Sequence, residues 1–396
     1  MYAEIFRYTG GDMGIFLLVI GLILFIGLVV VHELGHFWAA RRGGVDVEEF
    51  GIFFPPRLWK KRMKAGYDFT VNLLPLGGFV KLKGEHDSDT EPGSYGAART
   101  RTKVKIMLAG VVMNLVTALV LFTALAWVGM PKLVNNQFTV KGDTHVVRND
   151  VRVAYLEPKS PAAKAGLQMR DQLIGVGGQK VTTSADLPKL TKEFAGKPVQ
   201  VRYVRDGQTR VTTATFRTQA TVLASQKTSN PKGYLGVEPV DFTLQRSTWS
   251  APIVAVGLSA QLTGLTYQGL GHAVAGLGGI FAGFFTGNHA AREHAQTTAS
   301  GQVSGPVGIF VILKDGSLLG YQYMLLIIAV ISLTLAIMNV LPIPALDGGR
   351  LFVMLISRLF KKRISPGAEE AIYGAGFAVL MLLIVVITVV DVKRFF

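Results

Sequence analysis

The sequence predicts a polytopic α-helical membrane protein with an inserted soluble domain. The chain has 396 residues, 49% of them apolar, and a mean hydropathy of +0.38, which is too apolar for an ordinary soluble protein of this length. A transmembrane helix needs roughly 20 apolar residues, and four windows meet this requirement: 15–40, 104–129, 323–341 and 371–390. Between the second and third windows, residues 131–249 have the composition of a domain that folds in water.

The windows divide the chain into eight segments. We expect the first helix to be permanent, because no clearly basic region precedes it and no small-residue cleavage site follows it. The segments are 1–42, a tail and the first transmembrane helix; 43–103, a cytoplasmic loop with a membrane-dipping β-hairpin; 104–130, the second helix; 131–249, the soluble domain; 250–321, interfacial helices and a linker; 322–350, the third helix with an LDGG motif; 351–370, a second cytoplasmic loop; and 371–396, the fourth helix.

Basic residues predict the orientation of these helices. Lys and Arg are concentrated in 43–103 and 351–370, so the positive-inside rule places both loops in the cytoplasm and the soluble domain outside. This topology accounts for the net charge of +15, and nucleic-acid binding is therefore not expected. The absence of cysteine excludes disulfides and thiolate metal ligands.

The segment 251–287 is ambiguous. It is apolar but rich in Gly, Ser, Thr and Gln, and a single crossing there would invert the third helix against the charge of the loop that follows. We therefore expect helices that lie in the outer interface or re-enter the membrane. A fifth crossing is the alternative.

The end of the first apolar window contains the sequence HELGH. His32 and His36 are four residues apart, so on a helix they share one face, and Glu33 lies beside them. This is the HExxH spacing of zinc metalloproteases, in which the glutamate is the general base. Each ionisable side chain in a membrane helix costs on the order of 3 kcal/mol, so three of them together indicate a function.

Two histidines leave a catalytic zinc ion one protein ligand short, since such sites use three. Asp347, in the sequence NVLPIPALDGGR, follows the third window at the cytoplasmic end, where HELGH also lies. Pro342 and Pro344 end the helix before it, and irregular backbone at this depth is tolerated only around a protein-lined cavity. We predict that Asp347 is the third ligand, and a turn residue at a helix end is the alternative.

Several motifs together resemble those of the bacterial site-2 proteases, the intramembrane zinc proteases of peptidase family M50 that carry out regulated intramembrane proteolysis. HELGH lies in the first window, LAGVVMN opens the second and NVLPIPALDGG follows the third. The resemblance spans nearly the whole chain, including SGPVGI at 304–309 and LLPLGGFVKLKGE at 73–85. Gly110 and Asn114 match the family's G-x-x-x-N pattern, with Val111 where a proline is common.

The resemblance implies a Zn²⁺ ion held by His32, His36 and Asp347, with Glu33 as general base. It also implies that Asn114, together with Asn339 before the proline break, donates hydrogen bonds to the substrate backbone or to the developing oxyanion. A hydrogen bond between helices is the alternative role of Asn114.

The segment 67–82 has the alternation of a strand before a Pro-Leu-Gly-Gly turn, which predicts a hairpin that dips toward the site. A substrate helix must unwind before cleavage, because its carbonyls are hydrogen-bonded within the helix, and an edge strand would bind the extended chain by β-addition. The predicted pairing residues are Leu73, Leu74, Gly77 and Gly78. A surface hairpin without substrate contact is the alternative.

The order of elements in the soluble stretch resembles a PDZ domain of bacterial proteases. A strand from residue 151, a helix start at SPAAKAGL, a DQLI strand and a Gly-Gly turn precede a further helix, and strands follow at 198–205 and 209–216. GYLGVEP at 233–239 resembles the closing strand of a permuted PDZ domain, of which one copy is present. Three roles are open for it: binding a newly made C-terminus, filtering substrates by size, or acting as a spacer.

We predict a metalloendopeptidase that cuts single-pass membrane proteins within or near their transmembrane segment. By resemblance, the substrates are anti-sigma factors or similar regulators, or remnant signal peptides, after a first cut outside the membrane. The enzyme is expected in the bacterial inner (cell) membrane, in contact with the lipid bilayer and as a monomer. The alternative is a non-catalytic membrane scaffold or chaperone in which HELGH holds a structural metal, although a structural zinc site would need four protein ligands.

Overall fold

The computed structural model describes the backbone of residues 10–86, 89–226, 231–286, 305–361 and 364–395. The first nine residues of the predicted tail and the last residue of the 251–287 segment lie outside these ranges. The chain forms two compact units, and each is described by itself. One contains Ala126–Ala251, and the other contains Gly11–Leu125 and Pro252–Phe396.

Four helices in the described part of the chain are long and apolar enough to cross a membrane, which confirms the four predicted windows. They are α1 (Gly10–Arg42), α2 (Thr100–Val128), α8 (Tyr321–Val340) and α10 (Pro366–Phe395). All four start before their predicted windows: α1 at Gly10 instead of 15, α2 at Thr100 instead of 104, α8 at Tyr321 instead of 323 and α10 at Pro366 instead of 371. The first turns of α2 and α10 contain charged residues, which windows chosen for apolar composition leave out.

The third spanning helix ends before the LDGG motif, as predicted from Pro342 and Pro344, but the motif starts a separate helix that the predicted segment 322–350 did not distinguish. α8 ends at Val340 because Leu341 precedes a proline and takes an extended conformation. The chain then turns, and α9 (Asp347–Leu359) begins with the motif. Most of α9 falls within 351–370, so that segment is largely helical and not only a loop.

The ambiguous segment forms one continuous helix, α6 (Ala251–Thr286). The prediction of several helices, or of a segment that enters the membrane and turns back, is therefore wrong. The hydroxyls of Thr263 and Thr266 donate to carbonyls four residues earlier, at 2.7 and 2.9 Å, so these polar residues are accommodated without breaking the helix. A shorter helix, α7 (Pro306–Ser317), also lies within the predicted 250–321 segment.

The unit at 126–251 is built on a seven-stranded sheet. Its strands are β3 (Met130–Pro131), β4 (His145–Leu156), β5 (Gln172–Val176), β6 (Gln179–Lys180), β7 (Pro198–Arg205), β8 (Gln208–Thr215) and β9 (Val237–Arg246), and its helices are α3 (Pro161–Lys164), α4 (Asp186–Glu193) and α5 (Gln219–Ser225). The strand order is β3-β9-β4-β5-β7-β8, with β6 paired to β5.

The predicted succession of strands and helices in this unit is confirmed, and β7 has the predicted bounds. Its alternating apolar residues, Val199, Val201 and Tyr203, join one buried core with residues of β4, β5 and α3. The structure differs from the prediction at several points: β4 starts at His145 instead of 151, the closing strand starts at Val237 instead of 233, and β3, β6 and α5 were not expected. The identity of the unit as a PDZ domain stays a prediction.

A second, smaller sheet consists of β1 (Val47–Arg62) and β2 (Asp68–Leu82). The start of β1 lies in its centre, since Phe50 pairs with both Phe69 and Val80, which belong to the two halves of β2. The halves of β2 therefore do not pair with each other, and the predicted hairpin within 67–82 is wrong because β1 is inserted between its arms. In the described part of the chain, residues 78–82 pair only with β1, which leaves a free sheet edge.

Candidate active site

The last turns of α1 carry three ionisable side chains. Helical spacing places the rings of His32 and His36 on one face, with centroids 4.8 Å apart. His36 is buried, with 8% of its surface exposed, and Glu33 is partly buried. The helix thus holds two imidazoles side by side with a carboxyl group next to them.

The turn between α8 and α9 brings Asp347 to the same point. Its Oδ2 atom lies 3.1 Å from His32 Nε2 and 3.1 Å from His36 Nε2, and the two nitrogens are 3.2 Å apart. The turn packs so tightly that only glycine fits at positions 348 and 349, because β-carbons there would overlap backbone carbonyls of preceding residues. The structure therefore brings together the three residues that the sequence predicts as metal ligands.

The spacing of these atoms fits one zinc ion. Donor atoms around a tetrahedral zinc ion, at bonds of about 2.0–2.1 Å, lie about 3.3–3.4 Å apart. Asp347 Oδ2 is buried and has no well-formed hydrogen bond, which is unfavourable unless a cation lies beside it. In the described part of the chain this is the one group of three or more His, Asp or Glu side chains arranged to hold a metal.

Each imidazole is oriented through its other ring nitrogen. His36 Nδ1 lies 2.8 Å from the carbonyl oxygen of Ile106, so it donates its proton there and Nε2 keeps its lone pair for a metal. His32 Nδ1 lies 3.2 Å from Asn114 Nδ2, while Asn114 Oδ1 is buried without a partner. Flipping the Asn114 side-chain amide, which exchanges its oxygen and nitrogen, allows Oδ1 to accept a hydrogen bond from His32 Nδ1–H. Nε2 of His32 then keeps its lone pair for a metal as well.

Glycines allow α1 and α2 to approach closely at the site. A β-carbon on Gly110 would lie 2.5 Å from His36 Nε2 and 2.7 Å from His32 Nε2. A β-carbon on Gly35 would lie 2.6 Å from the carbonyl oxygen of Ala109. Only a residue without a side chain at position 110 leaves room for both ligand rings.

A cavity of about 710 Å³ joins two of the three candidate ligands, His36 and Asp347, to the free sheet edge. Its wall includes Glu33, His36 and Asp347, together with the edge residues 78–82. The backbone at Gly78 passes close to the candidate base, since a β-carbon there would lie 3.0 Å from Glu33 Cγ. An extended peptide paired with this edge would lie in the same space as Glu33 and the metal ligands.

The other predicted substrate-contacting residues have mixed positions. Gly78 lies on the free edge, and Gly77 packs against the ring of Phe54. Leu73 and Leu74 are 52% and 43% exposed and precede the edge segment. Asn339 lies half-buried in the last turn of α8 and is not among the residues that line the cavity.

Several residues of the cavity wall were not predicted from the sequence. The guanidinium of Arg350, in the first turn of α9, lies 5.2 Å from the ring centre of Tyr373 on α10. The Tyr373 hydroxyl donates to Glu369 at 3.3 Å, and Glu369 also lies 3.8 Å from His86. Glu369, a charged residue at the start of a spanning helix, could have been singled out from the sequence as a candidate for the site. Its partner His86 could not, because it belongs to a part of the chain distant in sequence.

Comparison with known proteins agrees with this geometry. Residues 20–383 match peptidase family M50. A Clostridium perfringens protein named "Putative zinc metalloprotease" is 29% identical over 376 residues, covering 95% of this chain and 98% of that protein. An Enterococcus faecalis protein named "Probable protease eep" is 26% identical, covering 95% and 98%. A Brucella suis protein named "Putative zinc metalloprotease" is 26% identical, covering 89% of each chain.

Substitution of Gly110 by Ala should weaken zinc binding, because the new methyl group overlaps the space of both ligand nitrogens. We expect an affinity loss on the order of 10- to 100-fold, the range seen when the supports of metal ligands are disturbed. The matched control is Gly27→Ala on α1, where a β-carbon meets nothing within 4 Å. Zinc content and affinity of the purified proteins test this, and equal values for both variants would contradict it.

Substitutions of Asn114 distinguish its contact with His32 from a role at the oxyanion. Asn114→Asp keeps an acceptor for His32 Nδ1–H but removes the amide donor, whereas Asn114→Ala removes both. If the residue orients His32, zinc affinity should fall about tenfold in the Ala variant and be retained in the Asp variant. Metal titration measures this directly. Full zinc affinity in the Ala variant would exclude the orienting role.

Proposed function

Because the chain belongs to peptidase family M50 and is a membrane metalloprotease of the site-2 type, we propose that it cuts single-pass membrane proteins within or near the bilayer. The observation that carries this proposal is the convergence of His32, His36 and Asp347 within 3.2 Å of one another, beside Glu33 and at the end of a spanning helix. A site with three protein ligands keeps one position for water or substrate, as catalytic zinc requires.

The chain's own residues divide the chemistry among them. Zinc, when bound by His32, His36 and Asp347, polarises the scissile carbonyl and makes water acidic enough to lose a proton near neutral pH. Glu33 accepts that proton and delivers it to the leaving amine nitrogen as the peptide bond breaks. The amides of Asn114 and Asn339 as donors to the oxyanion stay a prediction.

The free edge at 78–82 supports capture of the substrate as an extended strand. A helical peptide bond is poorly accessible, because its carbonyl accepts a hydrogen bond from four residues further on. Pairing with the sheet edge replaces those hydrogen bonds while it lays the unwound chain along the cavity wall. We therefore assign strand pairing to 78–82, a segment that shares only Gly78 with the residues chosen from the sequence.

The basic loops support an orientation in which the metal centre lies near the cytoplasmic leaflet. Arg41 and Arg42 lie in the last turn of α1, about one turn beyond His36, and an excess of basic residues is typical of the cytoplasmic side. In this orientation the soluble unit lies outside the cytoplasm. Its proposed roles there are to filter substrates by size or to bind the C-terminus that a first cleavage creates. Regulators with one membrane helix, or remnant signal peptides, are the proposed substrates, and the chain acts as a monomer in the bacterial inner membrane.

The alternative of a non-catalytic scaffold is less well supported. A structural zinc site is closed by four protein ligands. In the described part of the chain, only three side chains converge, and the space next to them is a cavity that also contains Glu33. This arrangement suits a site that admits water and a peptide.

Substitution of Glu33 by Gln should abolish cleavage of a membrane-embedded substrate in detergent or liposomes, with zinc content and thermal stability unchanged. The amide cannot accept the proton of water, and loss of a general base costs typically 10²- to 10⁴-fold in rate. Glu91→Gln, at a surface glutamate whose side chain is 76% exposed, is the control and should retain activity. Wild-type activity in Glu33→Gln would remove the general-base assignment.

A further inference from the structure

The last spanning helix touches the active-site turn although it is the least buried of the four. Only 6% of the apolar window of α10 is buried. At Gly376, however, the helix closely approaches the turn, because a β-carbon there would overlap the carbonyl oxygen of Pro344 and lie 2.7 Å from its side chain. The two backbones are therefore in direct contact, which only glycine permits.

Pro344 belongs to the turn that presents Asp347. Ala345 has a φ of 120°, and Leu346 N donates to the carbonyl of Ile343 at 3.0 Å, so the turn has a defined and compact shape. Its flank against α8 and α9 is occupied by the contacts of Gly348 and Gly349 with backbone carbonyls. Ala345 of the turn faces the cavity, and the side of the turn at Pro344 is the one that Gly376 contacts.

Two more residues of α10 lie on the same face as Gly376. Glu369, Tyr373 and Gly376 are spaced at i, i+4 and i+7. The ring of Tyr373 packs on the guanidinium of Arg350, three residues after Asp347, just as Gly376 packs on Pro344, three residues before it. The face of α10 therefore holds the chain on both sides of the aspartate.

The helix is fixed near both ends, so it cannot simply move away from an added side chain. Near its C-terminal end, the carboxylate of Asp391 accepts hydrogen bonds of 2.8 Å from the amides of Gly305 and Gly308 at the start of α7. Near its N-terminal end, His86 lies 3.8 Å from Glu369 and 3.5 Å from Glu370. A bulge at position 376 would press mainly on the turn.

We propose that Gly376 is a positioning residue for the metal ligand Asp347, which makes the lipid-facing helix α10 part of the metal site's support. The inference rests on the proposed function only in that Asp347 is a zinc ligand. Gly376 itself contacts neither metal nor substrate. It acts by allowing the turn to keep the carboxylate oxygen 3.1 Å from both imidazoles.

The test compares Gly376→Ala with Gly374→Ala in the full-length protein. At Gly374 a β-carbon meets nothing within 4 Å, and both substitutions raise helix propensity equally, so only the contact with Pro344 differs. We expect zinc affinity, measured by competition with a chelator, to fall about 10- to 100-fold in Gly376→Ala and to stay at the wild-type value in Gly374→Ala. The visible spectrum of the cobalt-substituted protein should change only in Gly376→Ala, because it reports the ligand geometry.

Wild-type zinc affinity and an unchanged cobalt spectrum in Gly376→Ala would overturn the proposal. If that variant does not accumulate, Tyr373→Leu removes the ring beside Arg350 without adding volume at the turn. A zinc affinity at least about threefold weaker, with Tyr373→Phe as the control that keeps the ring, supports the proposal, and no change overturns it. If the wild-type protein binds no zinc, the proposed function fails. Normal zinc binding in wild type and variant alike rejects only the role of Gly376.

Discussion

Two imidazole nitrogens and one carboxylate oxygen face one another across 3.1–3.2 Å, and the rest of the site is built to maintain this approach. With the other ring nitrogens protonated, three lone pairs converge on one point. They repel one another in the absence of a positive charge, and a divalent cation converts that repulsion into coordination. The carbonyl of Ile106, the amide of Asn114 and the absence of a side chain at Gly110 each contribute one part of this geometry.

Backbone-to-backbone contacts through glycine connect helix packing with the metal site. Helices in a bilayer gain little from the hydrophobic effect against one another, so close approach depends on small residues. Gly35 and Gly110 set the distance between α1 and α2, Gly348 shapes the turn before α9, and Gly376 brings α10 against that turn. Ligand geometry in this protein is thus set largely by how near the helices can come, and only secondarily by side-chain packing.

The cavity reconciles hydrolysis with a membrane setting. It gives Glu33, His36 and Asp347 a protein-walled space with a mixed polar and apolar lining, and such a cavity is where ionised groups and water are tolerated in a membrane protein. The free edge at 78–82 lines the same space, and its unpaired backbone groups can replace the hydrogen bonds that a substrate helix loses on unwinding. In the proposed mechanism, substrate unwinding, water access and proton transfer would therefore all take place in this cavity.

The sequence by itself determined the local features. Apolar length identified the four spanning helices, the four-residue spacing placed His32 and His36 on one face, and strand alternation gave β7 its bounds. These depend on periodicity and on neighbours in the chain. Tertiary structure alone decided the insertion of β1 between the halves of β2, the contact of Asn114 with His32 and the support of the Asp347 turn by α10. Each of these is a choice among partners distant in sequence, which is made by shape and hydrogen-bond satisfaction in three dimensions and leaves no periodic trace in the chain.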